Sequence, residues 1–288
     1  LFLGDDSRFK NRQNLPVNLE NTETRFSYRR YYFSQEFQFI NSEKFPFKVR
    51  HTIFHQANKY RYLQTGTETF YNQPLLENFD PYAYKFSKNL SNTVSLLFDK
   101  PTFKLEAGVR HQFINLGIDR ELPASVGVNI PLDNKENRLG AVGNLEVKLW
   151  DKIDLRSNFE YSNGAKFGNF LRSENQLKVE PIKDYILDAH VNFQTSKPSF
   201  NYLINPSFYK DFNYNFMNAN NQNILEIGGK VNLKWFQSAI FANYFKIDNY
   251  AYFGENYLPN QSAASLNISQ IGGEATFNYK KFNLNTKL

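Results

Sequence analysis

Apolar and polar residues alternate at every second position through most of this chain, and no other feature limits its fold as tightly. In 103–115, Phe103, Leu105, Ala107, Val109 and Phe113 share one parity, while Lys104, Glu106, Arg110 and Gln112 share the other. In 139–149, Leu139, Ala141, Leu145, Val147 and Leu149 alternate with Asn144, Glu146 and Lys148. In 153–161, Ile153, Leu155, Phe159 and Tyr161 oppose Asp154, Arg156, Asn158 and Glu160; in 185–193, Tyr185, Leu187, Ala189, Val191 and Phe193 oppose Asp188, His190 and Asn192. A period of two sends successive side chains to opposite faces of a strand. Repeated along the whole chain, it predicts antiparallel strands with one face apolar and the other polar.

Composition decides what those faces meet. Phe, Trp and Tyr make up 17% of the 288 residues, yet the mean hydropathy is −0.58. No run of about 18 apolar residues occurs, which excludes spanning helices. Lipid offers no hydrogen bonds to an open sheet edge, so only a closed barrel could cross a membrane. A soluble sheet would need a second sheet or helices over its apolar face, and no segment reads as a helix that could supply them. The chain has no Cys, and so neither disulfides nor thiolate metal sites. Its 34 basic and 28 acidic residues give a net charge of +6, but they are interspersed rather than blocked, unlike a nucleic-acid footprint.

The connections alternate as well. Short turns fall near 41–46, 99–102, 150–153, 181–184, 235–238 and 279–282; longer polar segments fall near 64–83, 117–138, 162–173, 197–222 and 254–264. Short turns at one rim and long loops at the other predict an all-β, transmembrane, antiparallel up-and-down β-barrel. Twelve strands are visible, the last truncated, within one domain covering 1–288. The chain reads as a fragment lacking strands at both ends of a barrel of about fourteen or more. Pro46, Pro101 and Pro181 fall in short turns and the other prolines in long loops, so none interrupts a strand. A phase change at Gly272-Gly273, from Leu266 and Ile268 to Ala275 and Phe277, predicts a β-bulge.

Rings gather at the expected rims. Phe47, Phe98, Phe103, Trp150, Tyr185, Trp235 and Tyr279 flank the short turns and are the candidate membrane-interface aromatics. The polar parity carries Glu36, Lys48, Arg50, Lys85, Lys104, Glu106, Arg110, Glu146, Lys148, Asp154, Arg156, Glu160, Lys178, Asp188 and His190. Arg or Lys on the lipid face at midplane would cost about 2–4 kcal/mol each, so these residues are candidates to line a pore. Lys88 and Asn92 fall on the apolar parity and fit neither face. The loop 197–222 is unusually aromatic for exposed sequence, which suits a partner-binding surface or a segment folded inward.

Sequence signatures of chemistry are missing: GxxxxGK[ST], GxGxxG, HExxH and GxSxG do not occur. Of the four histidines, His51 and His111 fall on the outward parity, while Ser34 and Ser87 point inward, which weakens any Ser–His pairing. Glu77 with Asp80, and Asp119 with Glu121, could offer oxygen ligands but show no fixed ligand spacing. No catalytic residue, metal or cofactor is expected.

Several short motifs carry a resemblance. Ser7-Arg8-Phe9-Lys10-Asn11 with Asn14-Leu15-Pro16, and His51-Thr52 leading to Lys59-Tyr60-Arg61-Tyr62 and Phe70-Tyr71-Asn72, follow in one order. They continue into Lys197-Pro198-Ser199-Phe200, Ile227-Gly228-Gly229 and Tyr250 to Phe253 followed by Leu258-Pro259. This set resembles the putative-porin family of Bacteroidetes-type outer membranes. The resemblance implies an integral outer-membrane barrel of a diderm bacterium, with no catalytic residues and no defined substrate. Together with the polar inner parity, the expected function is passive diffusion of small hydrophilic solutes. The alternative is a non-conducting structural barrel subunit of a larger outer-membrane complex. Outer-membrane lipid is then the expected surroundings, with a possible protein partner at loop 197–222 and no nucleic acid.

Overall fold

The computed structural model describes residues 21–40, 45–65, 82–234, 237–279 and 282–287. Among them one twelve-stranded sheet dominates. It begins with β1 (Thr22–Ile40), β2 (Phe47–Gln64), β3 (Tyr82–Asp99), β4 (Phe103–Ile118), β5 (Asn134–Leu149), β6 (Ile153–Ser162), β7 (Phe170–Ile182) and β8 (Tyr185–Ser196). It continues with β11 (Gln222–Leu233), β12 (Ser238–Asp248), β15 (Leu266–Tyr279) and β16 (Phe282–Lys287). Each strand pairs antiparallel with the next in sequence, the up-and-down order that the alternating turns predicted. The segment between β8 and β11 holds a single helical turn α1 (Phe200–Leu203) and a small hairpin of β9 (Ile204–Asn205) with β10 (Tyr214–Asn215). A second small hairpin joins β13 (Ala251–Phe253) to β14 (Pro259–Gln261).

Register fixes which residues share a face, because directly paired residues point the same way. One line of partners crosses the sheet as Glu36, Arg50, Ser95, Gly108, Val142, Glu160, Arg172, Gln194, Ile224, Ile247 and Leu266. It starts near the short-turn end of β1 and finishes at the long-loop end of β15, so successive strands are staggered in one direction, as tilted barrel strands are. The other face carries Val109, Leu139, Ile240 and Ile271, which are 68%, 72%, 58% and 81% exposed. By contrast the side chains of Arg110 and Glu160 are only 22% and 23% exposed. Apolar residues outside and charges inside reverse the order of a soluble globule. They match a wall with lipid on its outer face.

The wall is taller than lipid requires. β1 to β5 have 16 to 19 residues each, against about 9–11 for a tilted spanning strand. The outward parity of β2 runs from Phe47, Val49 and Ile53 up to Lys59 and Arg61 near the long-loop end, so the upper part of the strands stands above the apolar band. This height resolves one misfit. Lys88 lies level with Ala57 and Asn115, where Asn115 donates to Asp133 at 2.8 Å, and its ammonium sits 5.0 Å from the Phe86 ring centroid. It therefore sits in the polar upper zone. Asn92 pairs in register with His111 inside the band, and the structure gives no physical account of it.

Two expectations need correction. β15 passes Gly272-Gly273 in unbroken register with Phe241 and Ile240, so there is no bulge. The phase change is real, but it arises because Leu266 and Ile268 face inward, against Ile247 and Phe245. Pro181 lies within β7 rather than in a turn, at the register irregularity between Val179 and Ile182, where its missing N–H breaks no ladder. Pro259 opens β14 inside a long loop. The short turn after β5 places Trp150 and Asp151 at φ of 52° and 54°, with Lys152 N–H donating to Leu149 O at 3.0 Å. Two left-handed residues make a primed turn whose twist suits the hairpin. Trp150 is 78% exposed there, at the short-turn rim. Phe47 and Phe98 pack edge to face at 5.2 Å, and Phe98 and Phe103 at 5.9 Å, in the same rim zone. Tyr185 begins β8 just after the next short turn. Trp235, residues 7–16, Phe70-Tyr71-Asn72, Glu77 and Asp80 lie outside the described residues, as does the side chain of Tyr279.

Replacing Val109 with Arg should destabilise the folded protein by about 2–4 kcal/mol if it sits at midplane. Val142→Lys, on the inner face beside Glu160, should cost far less. Urea unfolding in lipid vesicles measures both, and equal shifts would contradict the assignment of faces.

Candidate functional site

The inner wall is a lattice of charges tied across neighbouring strands. Arg50 of β2 reaches Glu36 of β1 at 2.6 Å and Glu106 of β4 at 2.8 Å, and Asn144 of β5 donates to Glu106 at 2.9 Å. Arg110 pairs with Glu160, two strands away, and donates to Thr93 at 3.0 Å. Nearer the short turns, Lys48 donates to Asp99 at 3.1 Å, and Lys104 lies 3.7 Å from the same carboxylate. Arg156 pairs with Asp154 at 2.9 Å, Gln176 donates to Asp188 at 3.0 Å, and His190 stands 3.3 Å from Glu226. Gly228 makes room there, because a Cβ would lie 2.5 Å from the His190 ring. Glu146, Lys148 and Lys178 make no ion pair among the described residues. A cavity of about 260 Å³ opens between Arg50, Glu106, Arg110, Glu160, Arg172 and Glu174. Cations and anions held on one wall set a local field across any water in front of them.

All fifteen sequence-derived inner candidates lie on this face, but they do not share one environment. Lys85 departs from the expected pore lining. It is only 3% exposed, and its ammonium donates to Ile204 O at 2.9 Å, Asn205 Oδ1 at 3.3 Å and Asn201 O at 3.4 Å. Those acceptors belong to the segment 197–221, which starts beyond β8 and lies against the inner face of β2 and β3. A buried ammonium needs such partners, since desolvation without them would be prohibitive.

More contacts hold that segment in place. Tyr209 donates to Gln64 Oε1 at 2.8 Å, Phe208 stacks on Tyr62 at 5.4 Å, and Asn215 donates to Asn129 O at 2.6 Å. Leu203 and Ile204 join Leu116 and Ile118 of β4, Ile130 and Phe167 in one apolar cluster. Three loops, 119–133, 163–169 and 197–221, thus meet inside the outer end of the wall. The middle one is pinned by Glu136, which accepts from Lys166 N at 2.8 Å, Phe167 N at 3.1 Å and Arg138 Nε at 3.0 Å. Burial lifts the Tyr214 phenol above its ordinary range, so it stays protonated and donates to Asn201 O at 2.6 Å. Of the two sequence readings of 197–222, the structure takes the inward fold.

Sequence reasoning missed Glu136, Arg138, Arg172, Glu174, Glu226, Lys230 and Glu274, all on the inner face. The same parity would have found Glu136, Arg138, Arg172 and Glu174 had β5 been started at Asn134 and β7 at Phe170 rather than a few residues later, whereas Glu226, Lys230 and Glu274 lie on β11 and β15 and were passed over. The weighed catalytic pair does not form: Ser34 is level with Thr52 on the inner face, while His51 faces outward beside Gln35 at 3.2 Å. Among the described residues no group of three or more His, Asp or Glu could hold a metal ion.

Comparison with known proteins agrees with this geometry. The ferric enterobactin receptor PfeA in complex with BCV-L6 superposes with a TM-score of 0.61 at 11% identity, covering 92% of this chain and 44% of the receptor. A mutant of that receptor from Pseudomonas aeruginosa gives the same four values. A second Pseudomonas aeruginosa mutant, in complex with enterobactin, gives a TM-score of 0.60 with the same identity and coverage. The chain thus spans less than half the length of these receptors, and the likeness speaks for the fold alone. A search of curated proteins finds no match. The sequence matches the Putative porin family over residues 1–288, the whole of it, and the chain therefore belongs to that family of integral outer-membrane β-barrel proteins.

Proposed function

We propose that this protein forms a water-filled channel through the outer membrane for passive diffusion of small hydrophilic solutes, narrowed at its outer end by inward-folded loops. The observation that carries this reading is the inner wall. A sealed wall could bury its inner face with apolar packing, yet here charged and amide side chains dominate it from β1 to β8 and recur as Glu226 and Lys230 of β11 and Glu274 of β15, with apolar residues such as Phe245 and Ile247 of β12 between them. Ionised groups on that face require water or close partners. Several, such as Glu146, Lys148 and Lys178, make no ion pair among the described residues. The two outer edges of the sheet, β1 and β16, must find strands in lipid, either each other or further ones.

One observation favours the alternative of a non-conducting structural subunit. The loops 119–133, 163–169 and 197–221 pack on one another with a real apolar cluster, which would suit a permanent seal. Conductance separates the two readings.

In planar bilayers the full-length protein should open in stable steps. Arg50→Glu and Arg110→Glu should both shift ion selectivity toward cations, because each removes an inner cation and adds an anion. Replacing 200–215 by a short Gly-Ser linker should raise the unit conductance several-fold, since that segment covers the wall. Heat-modifiable migration in gels serves as the check that each variant is folded. A folded, inserted protein that never conducts, even without residues 200–215, would overturn the channel and leave the structural subunit.

A further inference from the structure

At the outer end of the wall, beside the inward loop, lies a cleft of about 510 Å³ that the channel reading does not use. Its rings come from four places: Phe26 of β1, Tyr60 of β2, Phe212 and Tyr214 of the inward loop, and Phe253 and Tyr257 of the β13–β14 hairpin. An adjoining hollow of about 260 Å³ shares Tyr60, Asn205, Phe212 and Tyr257 and continues past Tyr62 and Tyr209. The larger cleft falls within the range of about 300–1,000 Å³ usual for small-molecule sites. Three of its rings face open space: Phe26 is 56%, Phe253 47% and Tyr257 67% exposed. Tyr257 sits at φ 60°, a left-handed backbone for a bulky residue, fixed by its N–H donating to Gly254 O at 2.9 Å. Its ring stands 5.7 Å from Phe212, edge on. Residues held in such sparsely populated backbone regions cluster at ligand clamps and active sites.

The lining chooses the ligand class by elimination. Among the described residues no Asp or Glu lines either hollow, so a cationic ligand would find no counter-charge there. The one cation among the described lining residues, Lys85, already donates to Ile204 O, Asn201 O and Asn205 Oδ1, so an anion would find no uncommitted ammonium donor among them. What remains for a ligand is apolar ring surface together with polar groups at its margin, the exposed side chain of Asn201 and the phenol of Tyr257. A flat molecule with one apolar face and a rim of hydroxyls satisfies both. We infer that this cleft binds a neutral saccharide, its C–H faces against Phe253, Tyr257 and Phe212 and its hydroxyls toward Asn201 and the phenol of Tyr257. The site goes beyond the channel reading and does not depend on it, because binding is read without conduction.

The test is isothermal titration of the full-length protein in detergent with neutral hexasaccharides built of glucose, mannose, galactose or xylose. Hexagalacturonate and the chitosan hexamer serve as anionic and cationic controls. At least one neutral oligosaccharide should bind, and neither charged control should bind as tightly. Tyr257→Ala, at an exposed position that does not threaten folding, should raise Kd by about fivefold or more, the scale of one lost aromatic contact. Tyr257→Phe should keep most of the affinity, and Phe253→Ala should weaken binding independently. Absence of binding by every neutral sugar would overturn the proposal. So would tighter binding of a charged control, or unchanged affinity in both alanine variants. A protein that binds the sugar but does not conduct would overturn the channel alone, and one that conducts without binding would overturn the cleft alone.

Discussion

Every backbone N–H and C=O that enters the hydrocarbon layer needs a partner supplied by the protein, because lipid supplies none. Between the two edge strands of this sheet that demand is met by eleven consecutive antiparallel pairings, β1 with β2 through to β15 with β16. Once the ladder is continuous, little freedom remains. Side-chain period becomes two, strand order follows sequence order, and register decides the surroundings of every residue. A slip of one residue in β4 would put Arg110 and Glu106 into lipid and Val109 into the interior.

The inner face then carries a different constraint. Charges brought together by register need counter-charges, and they find them on the next strand or the one beyond it: Arg50 of β2 lies between Glu36 of β1 and Glu106 of β4, and Arg110 of β4 lies against Glu160 of β6. At the outer end rings, amides and buried aliphatics join the buried Glu136–Arg138 pair, where three loops enter. Lys85 marks the boundary, being an inner-face cation consumed entirely by loop oxygens. The wall is thus polar along most of its height and closed at one end by contacts that belong to loops rather than strands.

Most of the wall was legible in the sequence, and the reason is physical. Alternation in 103–115 and 139–149 has one simple cause, so the faces of Val109, Arg110, Glu146 and Lys148 followed directly. The short turns were visible as breaks in the alternation. Strand ends were less legible: the upper zone above the lipid needs no apolar parity, so β5 and β7 started earlier than the pattern showed and Glu136, Arg138 and Arg172 were missed. Gly272-Gly273 misled because a phase change can come either from a bulge or from apolar residues turned inward, and period alone does not distinguish them. The docking of 197–221 on Gln64 and Lys85 joins residues well over a hundred positions apart, a kind of contact that no local pattern encodes.

The central claim is the assignment of faces, and the absence of Cys makes it directly measurable. Single cysteines placed in turn at positions 103–113 of β4 in vesicle-embedded protein can be challenged with a charged, water-soluble thiol reagent and with a lipid-confined one. Among residues within the apolar band, the account predicts a strict alternation: even positions, including 106 and 110, react with the aqueous reagent, and odd positions, including 105, 107 and 109, react only with the lipid-confined reagent. Uniform aqueous labelling on both parities, or the opposite phase, would contradict it.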